Sequence, residues 1–370
     1  MQRGATVFRL SRRWRWLALG AAVIAFALAA GCSTLGYYSQ SVQGHFSMLH
    51  AARPLPEVIA DPTTDTALKR RLERAQQMRQ FASDELALPN NKSYTSYADL
   101  KRPYVVWNVF AAPELSLKLK QWCYPVVGCA GYRGYFDRAG AEEMAAGLKA
   151  EGLDISVTGV PAYSTLGWFS DPLLNTFING SEGQVAGLVF HELAHQTVFV
   201  GGDTTFNESF ATAVEREGVR RWLDAHGTAA DRRAYQDFAQ RRASFVALLL
   251  KYRGLLEQNY ASATSDQAKL ARKRELLAAM RVEYAELKTS WGGFTGYDRY
   301  FAQDLGNAHL AAVGAYNDLV PAFDALLVES QGQMPVFYEK VRQLAALPKE
   351  ERLAALKGRA SAAAAPIRGL

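Results

Sequence analysis

The segment Val185-Ala186-Gly187-Leu188-Val189-Phe190-His191-Glu192-Leu193-Ala194-His195 restricts the fold more than any other stretch. Val185, Leu188 and Val189 recur at the spacing of a helix face turned toward a core. Three ionisable groups, His191, Glu192 and His195, stand in the same apolar run. Burying two imidazoles and a carboxylate without partners is expensive. The chain must therefore bring compensating groups to this helix from elsewhere. His191 and His195 are four residues apart, so both rings project from one helix face.

Two imidazoles at that spacing can each direct a nitrogen at a single Zn²⁺, at about 2.0–2.1 Å. Glu192, next to the first histidine, projects to the side, where it can hydrogen-bond a metal-bound water. Together they make the H-E-x-x-H pattern of zinc peptidases. A catalytic zinc takes three protein ligands and leaves one position open. The third is expected beyond the connection 196–205, which carries the turn Gly201-Gly202. There Phe210, Ala213 and Val214 repeat at helical spacing and put Glu208 in the first turn of a second helix. A hairpin of two helices can point Glu208 back at His191 and His195. Glu215, seven residues further on, lies near the same face and is a candidate to orient a histidine from outside the ligand set.

The rest of the chain predicts an α+β fold that is mainly helical. A small mixed α/β part packs on a larger helical part, with a zincin-like active site at the junction. Tyr104–Phe110 and Ile155–Val160 read as strands. The segment 164–169 reads as a strand edge, and helices are expected at about 139–151 and from Asp65 to about residue 88. From 182 onward the pattern is almost wholly helical. The expected divisions are 1–31, 32–56 as a tether or helix, 57–357 as the enzyme domain, and 358–370 as a tail. Within the enzyme domain, 57–180 is the mixed part and 181–357 the helical part.

Charge is concentrated at the N-terminus. Arg3, Arg9, Arg12, Arg13 and Arg15 precede the apolar run Trp16–Leu28, and residues 1–31 hold no acidic side chain. The formal net charge of +6 falls to about +1 without these five (6 − 5). A basic start, a short apolar run and small residues before Cys32 describe a secretory signal peptide. No long basic run remains after it, which argues against nucleic-acid binding. Leu28-Ala29-Ala30-Gly31-Cys32 resembles a bacterial lipobox, with Ala29 where the pattern prefers Leu. That resemblance implies cleavage before Cys32, lipidation of its thiol, and a protein anchored to a membrane of the cell envelope, expected to be the outer membrane facing the periplasm. In an oxidising compartment Cys123 and Cys129 are expected to pair. So short a loop stabilises by only about 2–3 kcal/mol on the chain-entropy view.

Asn207-Glu208-Ser209-Phe210-Ala211 resembles the Asn-Glu-Gly-Phe-Ala block of gluzincin aminopeptidases, in which the Glu is the third zinc ligand. The interval from His195 to Glu208 is shorter here than in those enzymes, so the hairpin must be tighter. Further blocks resemble a bacterial family of predicted aminopeptidase lipoproteins. They are Cys123–Cys129 with Tyr132–Phe136, Ala162–Phe169, His191–Glu215, Asn307–Tyr316 and Val320–Phe323. The resemblance implies a Zn²⁺ cofactor, a peptide substrate and Glu192 as the general base. An envelope endopeptidase and a non-catalytic zinc-binding lipoprotein are the competing readings. Tyr316 is the candidate oxyanion donor, with a packed core tyrosine as the alternative; His309, Tyr135 and Tyr163 come after it. Ser164 and Gly167 would bind substrate backbone along the 164–169 edge, or form an ordinary strand and turn. Asp171, Asp203 and Glu215 are the candidates to hold a substrate α-ammonium group.

Overall fold

Residues 36–124 and 128–364 are described by the computed structural model, with side chains described for all of these except 315–317 and 361–364. Residues 1–31 and Cys32, with its expected lipidation, lie outside the described residues. The chain divides into two units, Met1–Ser47 and Met48–Leu370. In the first unit, residues 36–47 are helical.

The second unit begins with β1 (Arg53–Pro54) and α1 (Leu55–Ala60). The Asp65 carboxylate then accepts the amides of Ala67 and Leu68 and opens α2 (Thr66–Asp84). Satisfying the first free amides in this way is what fixes a helix start. The expected helix to about 88 stops earlier. Ala87 takes a positive φ of 51°, and Leu88 donates back to the carbonyl of Ala82 at 2.9 Å, so the chain folds over the helix end.

Among the described residues three small sheets follow. Strand β2 (Ser96–Ala98) pairs antiparallel with β1 and parallel with β8 (Leu173–Leu174). Strand β3 (Val106–Pro113) is the centre of an antiparallel sheet between β6 (Arg133–Tyr135) and β7 (Leu153–Val160). Strands β4 (Trp122–Tyr124) and β5 (Gly128–Ala130) form a hairpin closed by the Cys123–Cys129 disulfide. Helix α3 (Arg138–Ala150) lies against β3 and β7. The two long strands and this helix fall where the sequence predicted them. The 164–169 segment does not: it is a turn, with Trp168 donating to the carbonyl of Thr165 at 3.1 Å.

The remaining elements are helices. They are α4 (Glu182–His195), α5 (Thr204–His226), α6 (Ala229–Ala261), α7 (Asp266–Ser290), α8 (Asp298–Phe301), α9 (Asn307–Asn317), α10 (Val320–Glu329), α11 (Met334–Ala345) and α12 (Lys349–Ala364). The architecture is mainly helical α+β. One apolar core draws on both halves of the chain: Leu72, Phe81, Val105 and Leu173 pack with Phe190, Phe210, Trp222 and Phe323. A second cluster joins α6 to α7 through Leu249, Leu256, Met280 and Tyr284.

Helices α4 and α5 form the hairpin that the site requires. They approach closely because two glycines line the seam. A Cβ on Gly218 would meet the Phe190 ring at 2.6 Å, and one on Gly187 would meet Cγ of Glu215 at 3.2 Å. A Cβ at Gly218 would force neighbours out of a close-packed interior, and one at Gly187 would need its neighbours to give by a few tenths of an ångström.

Candidate metal centre

Helix α4 ends at His195, and the chain turns back through Gly202 in a left-handed conformation (φ 75°). The turn is clamped from both sides. The Asn207 side chain accepts the amide of Val200 and donates to its carbonyl, both at 2.8 Å. Asp203 accepts the amide of Phe206 and receives two hydrogen bonds from buried Arg352, at 2.8 and 3.1 Å. This clamp is what makes so short a connection workable, and it delivers Glu208 opposite the histidines.

The Glu208 Oε2 atom lies 3.3 Å from Nε2 of His191 and 3.8 Å from Nε2 of His195. Among the described residues, His191, His195 and Glu208 form a group whose ligand atoms all lie within 4.8 Å of one another. Donor atoms bound tetrahedrally at about 2.05 Å stand about 3.3 Å apart. Two imidazoles and a carboxylate fit a zinc ion in donor type, and the His191–Glu208 pair already stands at that spacing while the whole set lies within 4.8 Å. On the far side, Nδ1 of His191 lies 3.1 Å from Oε2 of Glu215, whose other oxygen accepts from Arg242 at 3.0 Å. Carboxylate–imidazole pairs of this kind set the tautomer and direction of a metal-binding ring. Nδ1 of His195 is buried and has no hydrogen-bond partner among the described residues.

Burial and charge oppose each other throughout the cluster. Burial alone would lower His191, but its hydrogen bonds to Glu208 and Glu215 overcome that and raise it to about 10. Burial pushes His195 down to about 4. Burial would raise Glu208, but its bond to His191 and the charges of His195 and His191 together hold it below its usual value. Glu215 falls to about 2 through His191 and Arg242, again against burial. Glu192 goes the other way. Burial raises it to about 7, and the charges of Glu208, Asp171 and Glu215 add to that while His191 opposes it. A carboxylate whose pKa is raised toward neutrality can exchange a proton with a neighbouring group near neutral pH.

The three α-ammonium candidates are all engaged. Asp171 is 1% exposed and accepts the amide and hydroxyl of Thr165, both at 2.9 Å. Asp203 caps α5 and pairs with Arg352, while Glu215 holds His191. Asp171 also explains the failed strand: its carboxylate draws Thr165 into a turn, and Ser164 Oγ accepts the amide of Leu166. Gly167, at a φ of 82°, approaches the Gln196 side chain that follows His195. His309 accepts the amide of Gly306 through Nδ1 and serves the start of α9. Tyr135 is buried on β6, and Tyr163 packs edge-on against Phe136. Tyr316 is on α9, but its side chain lies outside the described residues.

Sequence reasoning missed the supporting arginines. Arg242, which no motif in the sequence singles out, pairs with Glu215. Arg352, far along the chain, fixes the turn before Glu208. Only the low likelihood that an isolated carboxylate such as Glu215 would be buried unpaired hinted at a cation. A family model whose description reads "Putative aminopeptidase" matches residues 36–356. No curated protein and no solved structure matches the chain.

Proposed function

We propose that this chain, which belongs to the aminopeptidase family just described, is a zinc-dependent metallopeptidase that removes residues from the free amino end of peptides. The observation that carries the metal assignment is the gathering of ligand atoms from His191, His195 and Glu208 within 4.8 Å of one another, with Oε2 of Glu208 facing both Nε2 atoms. Zinc held there would supply Lewis acidity and a water of lowered pKa. Glu192 takes a proton from the attacking water and returns it to the leaving amine. Glu215 and Arg242 hold the His191 ring in the direction that binding needs.

The full-length protein in detergent, dialysed against zinc, tests this reading. It is expected to retain about one zinc per chain and to hydrolyse free-amine peptides while sparing their N-acetylated forms. Equal cleavage of both would make it an endopeptidase. Zinc-loaded protein inactive on every peptide would remove the catalytic reading.

The same proposal places the protein in the bacterial envelope, lipid-anchored at Cys32 and facing the periplasm from the outer membrane. Among the described residues no helix is long and apolar enough to cross a membrane. Cys32→Ala is expected to abolish incorporation of labelled palmitate. Undiminished labelling would rule out Cys32 as the anchor.

A further inference from the structure

Tyr94 is 1% exposed. It holds a left-handed backbone conformation, φ 63°, which bulky residues rarely adopt unless the surroundings impose it. The surroundings do impose it. The Tyr94 amide donates to the Asp171 carbonyl at 2.6 Å. Buried Arg79 straps the preceding loop, donating to the carbonyls of Pro89, Asn91 and Ser93 at 2.6, 3.0 and 2.8 Å.

The loop also grips the motif helix. Asn91 donates to Oε1 of Gln196 at 2.7 Å, and Nε2 of Gln196 donates to Oγ of Ser93 at 3.3 Å. Gln196 is four residues after Glu192, so the two share one face of the helix. The loop that carries Tyr94 therefore runs beside Glu192. The Tyr94 hydroxyl is buried without a hydrogen-bond partner, and it feels the charges of Glu192 and Asp171.

A buried donor left unpaired is costly and needs an explanation. Asp171 already has a donor on each oxygen. The Glu192 carboxylate, by contrast, has no hydrogen bond among the described residues. Catalytic hydrogen bonds are often long in an unliganded enzyme and tighten when the site is filled.

We infer that Tyr94 is a positioning residue whose hydroxyl donates to the Glu192 carboxylate and aims it at the reacting water. This rests on the reading of Glu192 as the base. Its strained backbone and the Arg79 strap give the phenol a fixed place from which to do so.

Full-length Tyr94→Phe, Glu192→Ala and the double variant test it. Tyr94→Phe is expected to lower kcat about 10- to 100-fold, with KM within about twofold and zinc content unchanged. In the zinc-loaded protein it should also lower the melting temperature by roughly 2 °C, and by clearly less when Glu192 is already Ala. An unchanged kcat in an active enzyme would overturn the proposal. So would an equal melting shift in both backgrounds, or a rise in melting temperature, which marks a hydroxyl that bonds to nothing. Should the wild type cleave no peptide at all, the peptidase reading fails, and the melting cycle still decides whether the bond exists.

Discussion

Glu192→Gln is expected to lower kcat by about 10³-fold or more while zinc content stays at the wild-type level. General-base catalysis is worth about 10²–10⁴-fold, and an amide cannot take the proton. The substitution keeps the shape of the side chain and leaves His191, His195 and Glu208 untouched. Metal analysis alongside peptide hydrolysis separates the two effects: inactive protein that has also lost zinc would mean that Glu192 supports the ligands instead of the reaction. The pH profile has a determined sign. As a base Glu192 would work ionised, so activity is expected to fall as pH drops through its pKa. Burial and the neighbouring carboxylates hold that pKa at about 7 in the metal-free cluster, and a cation beside it would draw it downward. The acid limb of kcat/KM is therefore expected at or below neutrality. Activity that rises on acidification would assign the base to another group.

Glu208→Ala is expected to weaken zinc binding by more than about 100-fold, since even partners outside the ligand set are worth 10–100-fold. Competition with a chromophoric chelator measures it. Among the prospective ligands Glu208 alone comes from outside the motif helix, so its loss would leave two imidazoles and no anionic donor. Glu215→Gln serves as the comparison and should fall in the lower, 10–100-fold range. If Glu208→Ala bound zinc as the wild type does, the third ligand would lie elsewhere. Uptake should also release protons. Two carboxylates favour the protonated form of His191 in the metal-free cluster, and a ligand must be deprotonated to bind. Zinc affinity is therefore expected to fall as pH falls.

The motif helix was legible because its information is local. The spacing of His191 and His195 fixes one face, and the periodicity of Phe210, Ala213 and Val214 fixes the helix that carries Glu208. The strands around Val109 and Val157 were legible from composition alone. The 164–169 turn was not, because an apolar, β-prone stretch was overruled by one side chain, Asp171, bonding to Thr165. The supporting cast was hidden for a different reason. Arg242 meets Glu215 27 residues away, and Arg352 meets Asp203 149 residues away. Nothing in a run of helical residues says which arginine will turn inward. Tyr94 was silent too, because its importance lies in a backbone angle and a missing partner.

The short clamped connection between His195 and Glu208 has a consequence for assembly. All three prospective ligands fall within residues 191–208, on one hairpin of adjacent helices. Closing so small a loop loses little chain entropy, and contacts so near in sequence form early and fast. An ion captured there would seed the hairpin before Arg79, Arg242 and Arg352 find their distant partners. Metal loading would then act on the order of folding events as well as on the finished site.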